Sequence, residues 1–467
     1  MKVLFIYTDI NTRGSAKHLQ IGIASLSSVL RQKSVATKLL YLIRYDFESV
    51  KKTIVAFKPD IVAFTSVGTQ FRHVVKIAAY VKSTFDIFAI CGGPHVSLVP
   101  DVLEQSPFDA ICRGEGEFPL AELVEKMSQK ENIYAIKNLW FKKDGIIIKN
   151  ETRPFIDDLD SLPFPDRDIF DYQNVIDSDY GQASFMFSRG CPFNCPYCSN
   201  HALRKLAEGK YVRTRSVAEA IQEIRDVRAQ YTFNEVVFDD DTMTINKKWL
   251  MSFLDVYVKK ISIPFEINAR VDTMDNEILE KLKMAGCRKI SFGIESGNEE
   301  LRQRILKRKM TNELIINYFE KAKSLGIKTK SFNLVGLPYE NREKFKDTIS
   351  INAAINPDSL ILNVFYPYQG TDLFKLCKEQ NWLGPEPETF VERDDTILEL
   401  PDFSRKEIIH CYKTFGFKVY QRYSLWKAFL YYVRYSRLGE IILALSESML
   451  LLGGKKVKIA IKKISGT

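Results

Sequence analysis

Apolar residues follow two rhythms along the first 140 positions of this chain. Strand-like, mainly apolar runs at 3–7, 37–42, 61–65, 87–91 and 110–112 alternate with stretches whose apolar positions recur every three or four residues, at 21–31, 49–57, 73–85 and 120–128. The runs are continuous rather than alternating, as in strands covered on both faces, and the stretches between them have the period of amphipathic helices. Their order predicts an N-terminal α/β domain: a doubly wound parallel sheet whose ligands sit at the strand carboxyl ends.

The pattern breaks at 151–180. Asp157-Asp158-Leu159-Asp160-Ser161-Leu162-Pro163-Phe164-Pro165-Asp166 is acidic and Pro-containing, and reads as an ordered linker. A second series then begins, with strands at 184–188, 235–238, 265–269, 289–294, 330–335 and 360–365 and helices between them, for example at 217–231, 250–260 and 314–325. Six such units predict a partial (β/α)6 barrel with its chemistry at the strand carboxyl ends. From about 403 to 448 the pattern is helical and rich in Tyr, Phe and Leu. The expected division is 1–150 sheet domain, 151–180 linker, 181–390 barrel and 391–467 basic, aromatic helical extension.

At 467 residues, more than one core is expected. The first apolar run is too short for an export signal, and only three of eight cysteines cluster, so the pattern fits a reducing compartment, a cytoplasmic protein without a disulfide framework. The net charge of +9 lies wholly in the tail: from 401 onward there are 13 Lys and Arg against 4 Asp and Glu. The body is neutral, which argues against a nucleic-acid stripe. No apolar run approaches the ~20 residues that span a bilayer. For the tail, a helical cap with solvated charges is the plainer reading. A membrane-peripheral surface that delivers a lipid or isoprenoid substrate is the sharper one, and single-stranded nucleic acid a poorer third.

Chemistry is concentrated in one loop. Ser188-Arg189-Gly190-Cys191-Pro192-Phe193-Asn194-Cys195-Pro196-Tyr197-Cys198 follows the first strand of the second series. Three thiolates within eight residues can wrap one metal centre, and soft sulfur selects Fe–S or zinc. Structural zinc sites usually pair two such clusters, and His201 is the one further ligand type nearby. Three ligands also leave one iron open to a chelating substrate. Three structural thiols on a tight loop are the plain alternative.

This C-x3-C-x2-C spacing, with an aromatic before the last Cys, is similar to the signature of the radical S-adenosylmethionine (SAM) superfamily. The resemblance implies a [4Fe–4S] cluster on Cys191, Cys195 and Cys198, with SAM on the open iron, an external one-electron reductant and a 5′-deoxyadenosyl radical as product. Tyr197 would lie against the adenine. Further matches arrive in barrel order. Asp239-Asp240-Asp241-Thr242 stands in the place of the amino-group motif, though without the Gly-Gly-Glu form. Asn268-Ala269-Arg270-Val271-Asp272 follows strand three. Gly293-Ile294-Glu295-Ser296-Gly297 resembles the ribose and carboxylate segment, and Asn333-Leu334-Val335-Gly336-Leu337-Pro338 the adenine-side motif. The implied SAM contacts are Tyr197, Asp239, Asp240, Asn268, Arg270, Glu295, Ser296, Val335 and Gly336.

In the first domain, Asp9-Ile10-Asn11-Thr12-Arg13-Gly14, Ser66-Val67-Gly68 and Gly92-Gly93-Pro94-His95 follow strands one, three and four. They resemble the cobalamin-binding pattern D-x-H-x-x-G, S-x-L and G-G, with Asn11 in the place of the His. Gly114-Glu115-Gly116-Glu117 resembles the acidic-Gly turn of the same domains. The implied cobalamin contacts are Asp9, Asn11, Gly14, Ser66, Val67, Gly68, Gly92, Gly93 and Glu115. No imidazole is then offered below cobalt. His73 and His95 read as helix and loop residues, and Cys91, Cys112, Cys287, Cys377 and Cys411 as core thiols.

Most of the chain, from Met1 to about Thr371, resembles the cobalamin-dependent radical SAM class. The resemblance implies methylation of an unactivated carbon of a small-molecule substrate. A radical cyclisation or rearrangement without net methylation, or a non-enzymatic cobalamin or Fe–S carrier, are the alternatives.

Overall fold

The computed structural model describes residues 1–10, 17–386 and 390–434. Contacts divide it into two compact units. One comprises Met1–Asn234 and Tyr368–Lys375, the other Glu235–Pro367 and the residues from Leu376 onward.

The first unit opens with a seven-stranded sheet. Its strands are β1 (Lys2–Thr8), β2 (Ala36–Leu42), β3 (Ile61–Thr65), β4 (Phe88–Gly92), β5 (Ala110–Cys112), β6 (Leu139–Lys143) and β7 (Ile146–Lys149). Their order is β2-β1-β3-β4-β5-β6-β7; the first five are parallel, and β6 and β7 add antiparallel. Helices α1 (Ile21–Gln32), α2 (Phe47–Phe57), α3 (Phe71–Phe85) and α4 (Pro94–Leu98) connect the parallel strands, and α5 (Glu117–Gln129) leads from β5 to the antiparallel β6. Val3, Leu4, Ile6, Ile61, Val62, Ala89 and Cys91 are fully or almost fully buried, as continuous apolar runs require. The strand order reverses between β1 and β3, which opens a crevice at their carboxyl ends, beside Asp9 and Ser66. The hairpin β6–β7 was not expected. Its signal is Asp144-Gly145, both at positive φ (49° and 77°), the residues a two-residue hairpin turn asks for.

The linker is ordered, as expected. The Asp166 carboxylate accepts from Ser27 Oγ (2.6 Å) and Arg31 (2.7 Å), and its N–H donates to the Ala24 carbonyl. Helix α6 (Tyr172–Ser178) follows, then strands β8 (Gln182–Phe185) and β9 (Ser188–Arg189), helix α7 (Asn200–Leu203), strand β10 (Arg213–Thr214) and helix α8 (Val217–Gln230). Arg167 and Glu223, both buried, pair at 2.8 Å and join the linker to α8.

The second unit is built on β11 (Glu235–Phe238), β12 (Phe265–Ala269), β13 (Cys287–Glu295), β14 (Lys328–Val335) and β15 (Ser359–Val364), a parallel half-barrel sheet in that spatial order. Helices α9 (Lys247–Lys260), α10 (Asn276–Met284), α11 (Asn312–Ser324) and α12 (Arg342–Ile355) lie between these strands, and α13 (Asp372–Glu379) follows β15. Their starts are written locally: Asn246, Asp275, Thr311 and Asn341 each accept a hydrogen bond from the third backbone N–H onward. All six strands of the second predicted series are present.

The tail is helical where described, as α14 (Arg405–Tyr420) and α15 (Leu425–Arg434). Ser404 and Glu407 form a reciprocal cap at the start of α14. Its buried face, including Ile408, Phe415 and Val419, packs in the second unit, with Tyr420 donating to the Pro357 carbonyl at 2.9 Å. No helix among the described residues is long and apolar enough to cross a membrane. The predicted helical stretch beyond 434 lies outside the described residues.

Candidate cluster and cofactor sites

The three-cysteine loop leaves β9 through Gly190, whose φ is +83° and where a Cβ would run into the Tyr211 carbonyl. Cys195 is buried, and Cys191 and Cys198 are half-buried; none of the three forms a disulfide. The loop is pinned at several points. Cys198 N–H donates to the Cys195 carbonyl (3.1 Å), Leu373 N–H to the Pro196 carbonyl (3.0 Å), and Arg204 to the Pro192 carbonyl (3.1 Å). Among the described residues no three His, Cys, Asp or Glu side chains close on a single ion. A four-iron cube asks for a different arrangement, three thiolates each on its own iron. Three soft donors on one short loop fit it.

His201 is not a fourth ligand. Asp372 N–H donates to its Nε2 at 3.3 Å, which leaves Nδ1 to donate to the Cys198 carbonyl. Both ring nitrogens are committed, and the ring is 3% exposed. It anchors the loop from behind.

Arg189, two residues before the first thiol, reaches back to the first domain. It donates to Glu115 at 2.8 Å and Glu117 at 2.6 Å, and Arg213 also holds Glu115, at 2.9 Å. Burial alone would raise the Glu117 carboxyl, but the Arg189 charge and hydrogen bonds, with Ser25 donating at 2.9 Å, hold it below the usual carboxylate range. Glu115, expected at cobalamin, thus has its carboxylate turned to Arg189, Arg213 and the Ile156 N–H.

At the crevice of the first sheet, Asp9 accepts from the Tyr41 hydroxyl at 3.0 Å. The buried Ser66 donates through Oγ to the Val67 carbonyl, and its backbone is stitched to Gly92 and His95. Gly93 has φ +95°, and a Cβ there would lie 2.8 Å from Ser66 backbone atoms. That glycine is demanded by the neighbouring strand. Gly92 differs: a Cβ there would rest in ordinary contact with Cys112 Cβ and the Phe64 carbonyl, both at 3.9 Å, so the fold itself does not demand a glycine. Gly68 is bordered by Tyr368 and His95. Burial lowers His95 to about 4 and His73 to about 4, so both are neutral at pH 7. Asp9, Ser66, Val67, Gly68 and Gly92 stand at the carboxyl ends of the parallel strands β1, β3 and β4; Asn11 and Gly14 lie outside the described residues.

In the second unit, Asp239, Asp240, Asn268, Arg270, Glu295, Ser296, Val335 and Gly336 all stand at the carboxyl ends of β11 to β14, as expected. Asp240 is 3% exposed. Arg270 is engaged in a two-point pair with Asp272, at 2.9 and 2.6 Å. Glu295 adopts φ +68°, a conformation L residues rarely hold, at an irregularity of β13. Ser296 is fully buried, and its carbonyl accepts from buried Arg302 at 2.6 Å. Arg308, buried and not anticipated, donates to the Gly293 carbonyl and lies 3.9 Å from Glu295. Gly336, at φ +83°, donates its N–H to Glu340 at 2.7 Å. Glu340 is buried, with Oε1 lacking a hydrogen-bond partner, and burial pushes it up to about 8.

Comparison with known proteins agrees with this geometry. Residues 8–124 match the model of the B12 binding domain, and 185–351 that of the radical SAM superfamily. An uncharacterized methyltransferase of Pyrococcus horikoshii is 29% identical over 394 residues, 83% of this chain and 84% of that one. An anaerobic magnesium-protoporphyrin IX monomethyl ester cyclase of Rubrivivax gelatinosus is 28% identical over 404 residues (82% and 69%). The hopanoid C-3 methylase of Methylococcus capsulatus is 25% identical over 364 residues (75% and 67%). Among solved structures, a cobalamin-dependent SAM radical enzyme, OxsB, with aqua-cobalamin and SAM bound, superposes with a TM-score of 0.69 at 15% identity, over 99% of this chain and 74% of that one.

Proposed function

We propose, on the premise that this chain is a cobalamin-dependent radical SAM enzyme, that it methylates an unactivated carbon of a lipid-like small molecule. When bound, the [4Fe–4S] cluster supplies the electron that cleaves SAM to a 5′-deoxyadenosyl radical, and cobalamin supplies the methyl group. The observation that carries the reading lies inside the first unit. The three-thiol loop and the glycine-lined crevice occur in one compact body, and Arg189 joins the loop to Glu115 and Glu117 of the sheet domain. Loop and crevice are thereby held in fixed register, the arrangement a reaction using both cofactors on one substrate needs.

The chain's own residues have separable tasks. Cys191, Cys195 and Cys198 would hold the cluster. Tyr197 and the strand-end groups Asp239, Asp240, Asn268, Arg270, Glu295, Ser296, Val335 and Gly336 would hold SAM. Asp9, Ser66, Val67, Gly68 and Gly92 would line the cobalamin crevice. Burial of Asp240, Ser296 and Val335 keeps water from these strand ends.

The lipid-like substrate is supported by the hopanoid methylase relative and by α15, which exposes Leu425, Trp426, Phe429 and Tyr432. That face, on a helix that the basic residues 455–463 follow in sequence, suits peripheral contact with an anionic membrane. The cyclase relative favours a second reading, radical ring closure without methyl transfer. Anaerobically reconstituted enzyme, a low-potential reductant, SAM carrying a CD3 group and a lipid extract from cells lacking this protein separate the two. Methylation yields a product that carries one intact CD3 in place of a hydrogen. Ring closure yields an unlabelled product that has lost hydrogen. Absence of 5′-deoxyadenosine would remove both.

A further inference from the structure

Asn200 stands two residues beyond the last thiol, at the start of α7, and its Nδ2 lies 3.7 Å from Cys198 Sγ. A side-chain amide can present either end to a neighbour, and here a second residue decides which. The Tyr211 hydroxyl donates to Asn200 Oδ1 at 2.6 Å, so the N–H end faces the sulfur. Tyr211 is held in turn: its ring packs edge-on against Phe155 at 5.1 Å, and its carbonyl accepts from Arg213 at 3.2 Å. His201, one residue further on, is committed to the Cys198 carbonyl.

An N–H aimed at a ligating thiolate sets the positive end of a dipole against charge that grows when the cluster accepts an electron. Hydrogen bonds to the sulfurs are among the levers that set cluster potentials. We propose that Asn200, oriented by Tyr211, raises the reduction potential of the cluster through Cys198. This rests on the assignment of the cluster to Cys191, Cys195 and Cys198. Asn200 acts on the ligand sulfur, and Tyr211 is a positioning residue.

The test is a redox titration of the reconstituted full-length protein, followed by the electron paramagnetic resonance of the reduced cluster, with iron content measured in parallel. Asn200→Leu removes the donor and keeps the bulk. It should retain its iron and show a lower midpoint, with an about tenfold lower ratio of reduced to oxidised cluster at the wild-type midpoint, or about 59 mV for one electron. Tyr211→Phe should shift the midpoint in the same direction by less, and the double variant should match Asn200→Leu. A wild-type midpoint in Asn200→Leu at full iron content overturns the inference and leaves the cluster assignment intact. Should Asn200→Leu lose iron, Tyr211→Phe decides, and an unshifted midpoint there overturns the inference. A wild-type chain that takes up no cluster removes the assignment and the inference together.

Discussion

Arg189 and Glu117, 72 positions apart in the chain, meet at 2.6 Å. Glu117 begins a helix of the first sheet domain, and Arg189 ends the strand that feeds the three-cysteine loop. The carboxylate is buried and the guanidinium about three-quarters so. Removing the carboxylate leaves a largely desolvated cation with Glu115 as its remaining anion. Glu117→Gln should therefore destabilise the protein by about 2 kcal/mol at pH 7, read from urea denaturation. Because Arg189 depresses the Glu117 carboxyl, the stabilisation is full above the usual carboxylate range and is lost as pH falls through the depressed value. The gap between wild type and variant should close toward acid. A constant gap would mean the pair is held by packing alone.

The thiol triad gives a direct chemical expectation. Anaerobic reconstitution should load about four irons per chain. Cys191→Ala, Cys195→Ala and Cys198→Ala should each abolish 5′-deoxyadenosine formation. Alanine at Cys91, Cys112 or Cys287 should not, since these thiols are buried in the cores and burial raises their pKa. A triple alanine variant of the loop that still held a full cluster would show the ligands to lie elsewhere.

For SAM, Asp240→Ala and Glu295→Ala should each weaken binding roughly tenfold or more, about 1.4 kcal/mol, while iron content stays at wild type. They stand on strand ends remote in sequence from the thiol loop. Equilibrium binding to the loaded protein measures the first effect and iron analysis the second. Unchanged affinity in both would take these carboxylates out of the site.

Glu340 predicts a pH dependence of opposite sign to Glu117. Its folded pKa is raised to about 8, so the folded state holds a proton that the unfolded chain releases near 4.5. Its contribution is full below 4.5 and is lost as pH rises through 8. Glu340→Gln keeps an acceptor for the Gly336 and Leu337 N–H groups and removes the titration. The variant should gain on wild type between pH 5 and 9, by on the order of 3 kcal/mol, in chemical denaturation of the cluster-free protein. Parallel stability profiles would show that Glu340 ionises normally.

What the sequence made legible was whatever is local. Runs such as 61–65 name their strand because apolar continuity is a property of consecutive residues. The three thiols announce a metal centre because their spacing lies within eight positions. The hairpin at Asp144-Gly145 is equally local, but its two short antiparallel strands do not fit the helix-and-strand alternation that surrounds them. The Arg189–Glu117 pair, the Tyr211–Asn200–Cys198 relay and the Arg308–Glu295 approach had no such signal. Each joins side chains whose meeting depends on the completed chain path. Gly93 shows a different gap. A glycine doublet after a strand reads as an opening for a ligand, and only the structure separates the glycine that has room for a Cβ from the one pressed on Ser66.

That separation sharpens the cobalamin prediction. Gly93→Val would force a branched residue into φ +95° and against Ser66 backbone, so it should destabilise the first domain whether or not cobalamin binds there. Loss of cobalamin in that variant would say nothing about the crevice. Gly92→Ala is the informative change. Its new methyl meets nothing closer than 3.9 Å in the protein, so the fold should stand with a melting temperature near wild type. A ligand lying against that backbone would lose its close approach, and cobalamin affinity should fall about tenfold or more. The cobalt(II) form bound to wild type should show no nitrogen hyperfine splitting, because His73 is tied to Tyr45 and Asn11 stands where the pattern has its His. Nitrogen splitting in the resonance would place an imidazole below cobalt, and His95, which borders Gly68, would be its source. Full cobalamin affinity in Gly92→Ala would move the ligand away from β4 altogether.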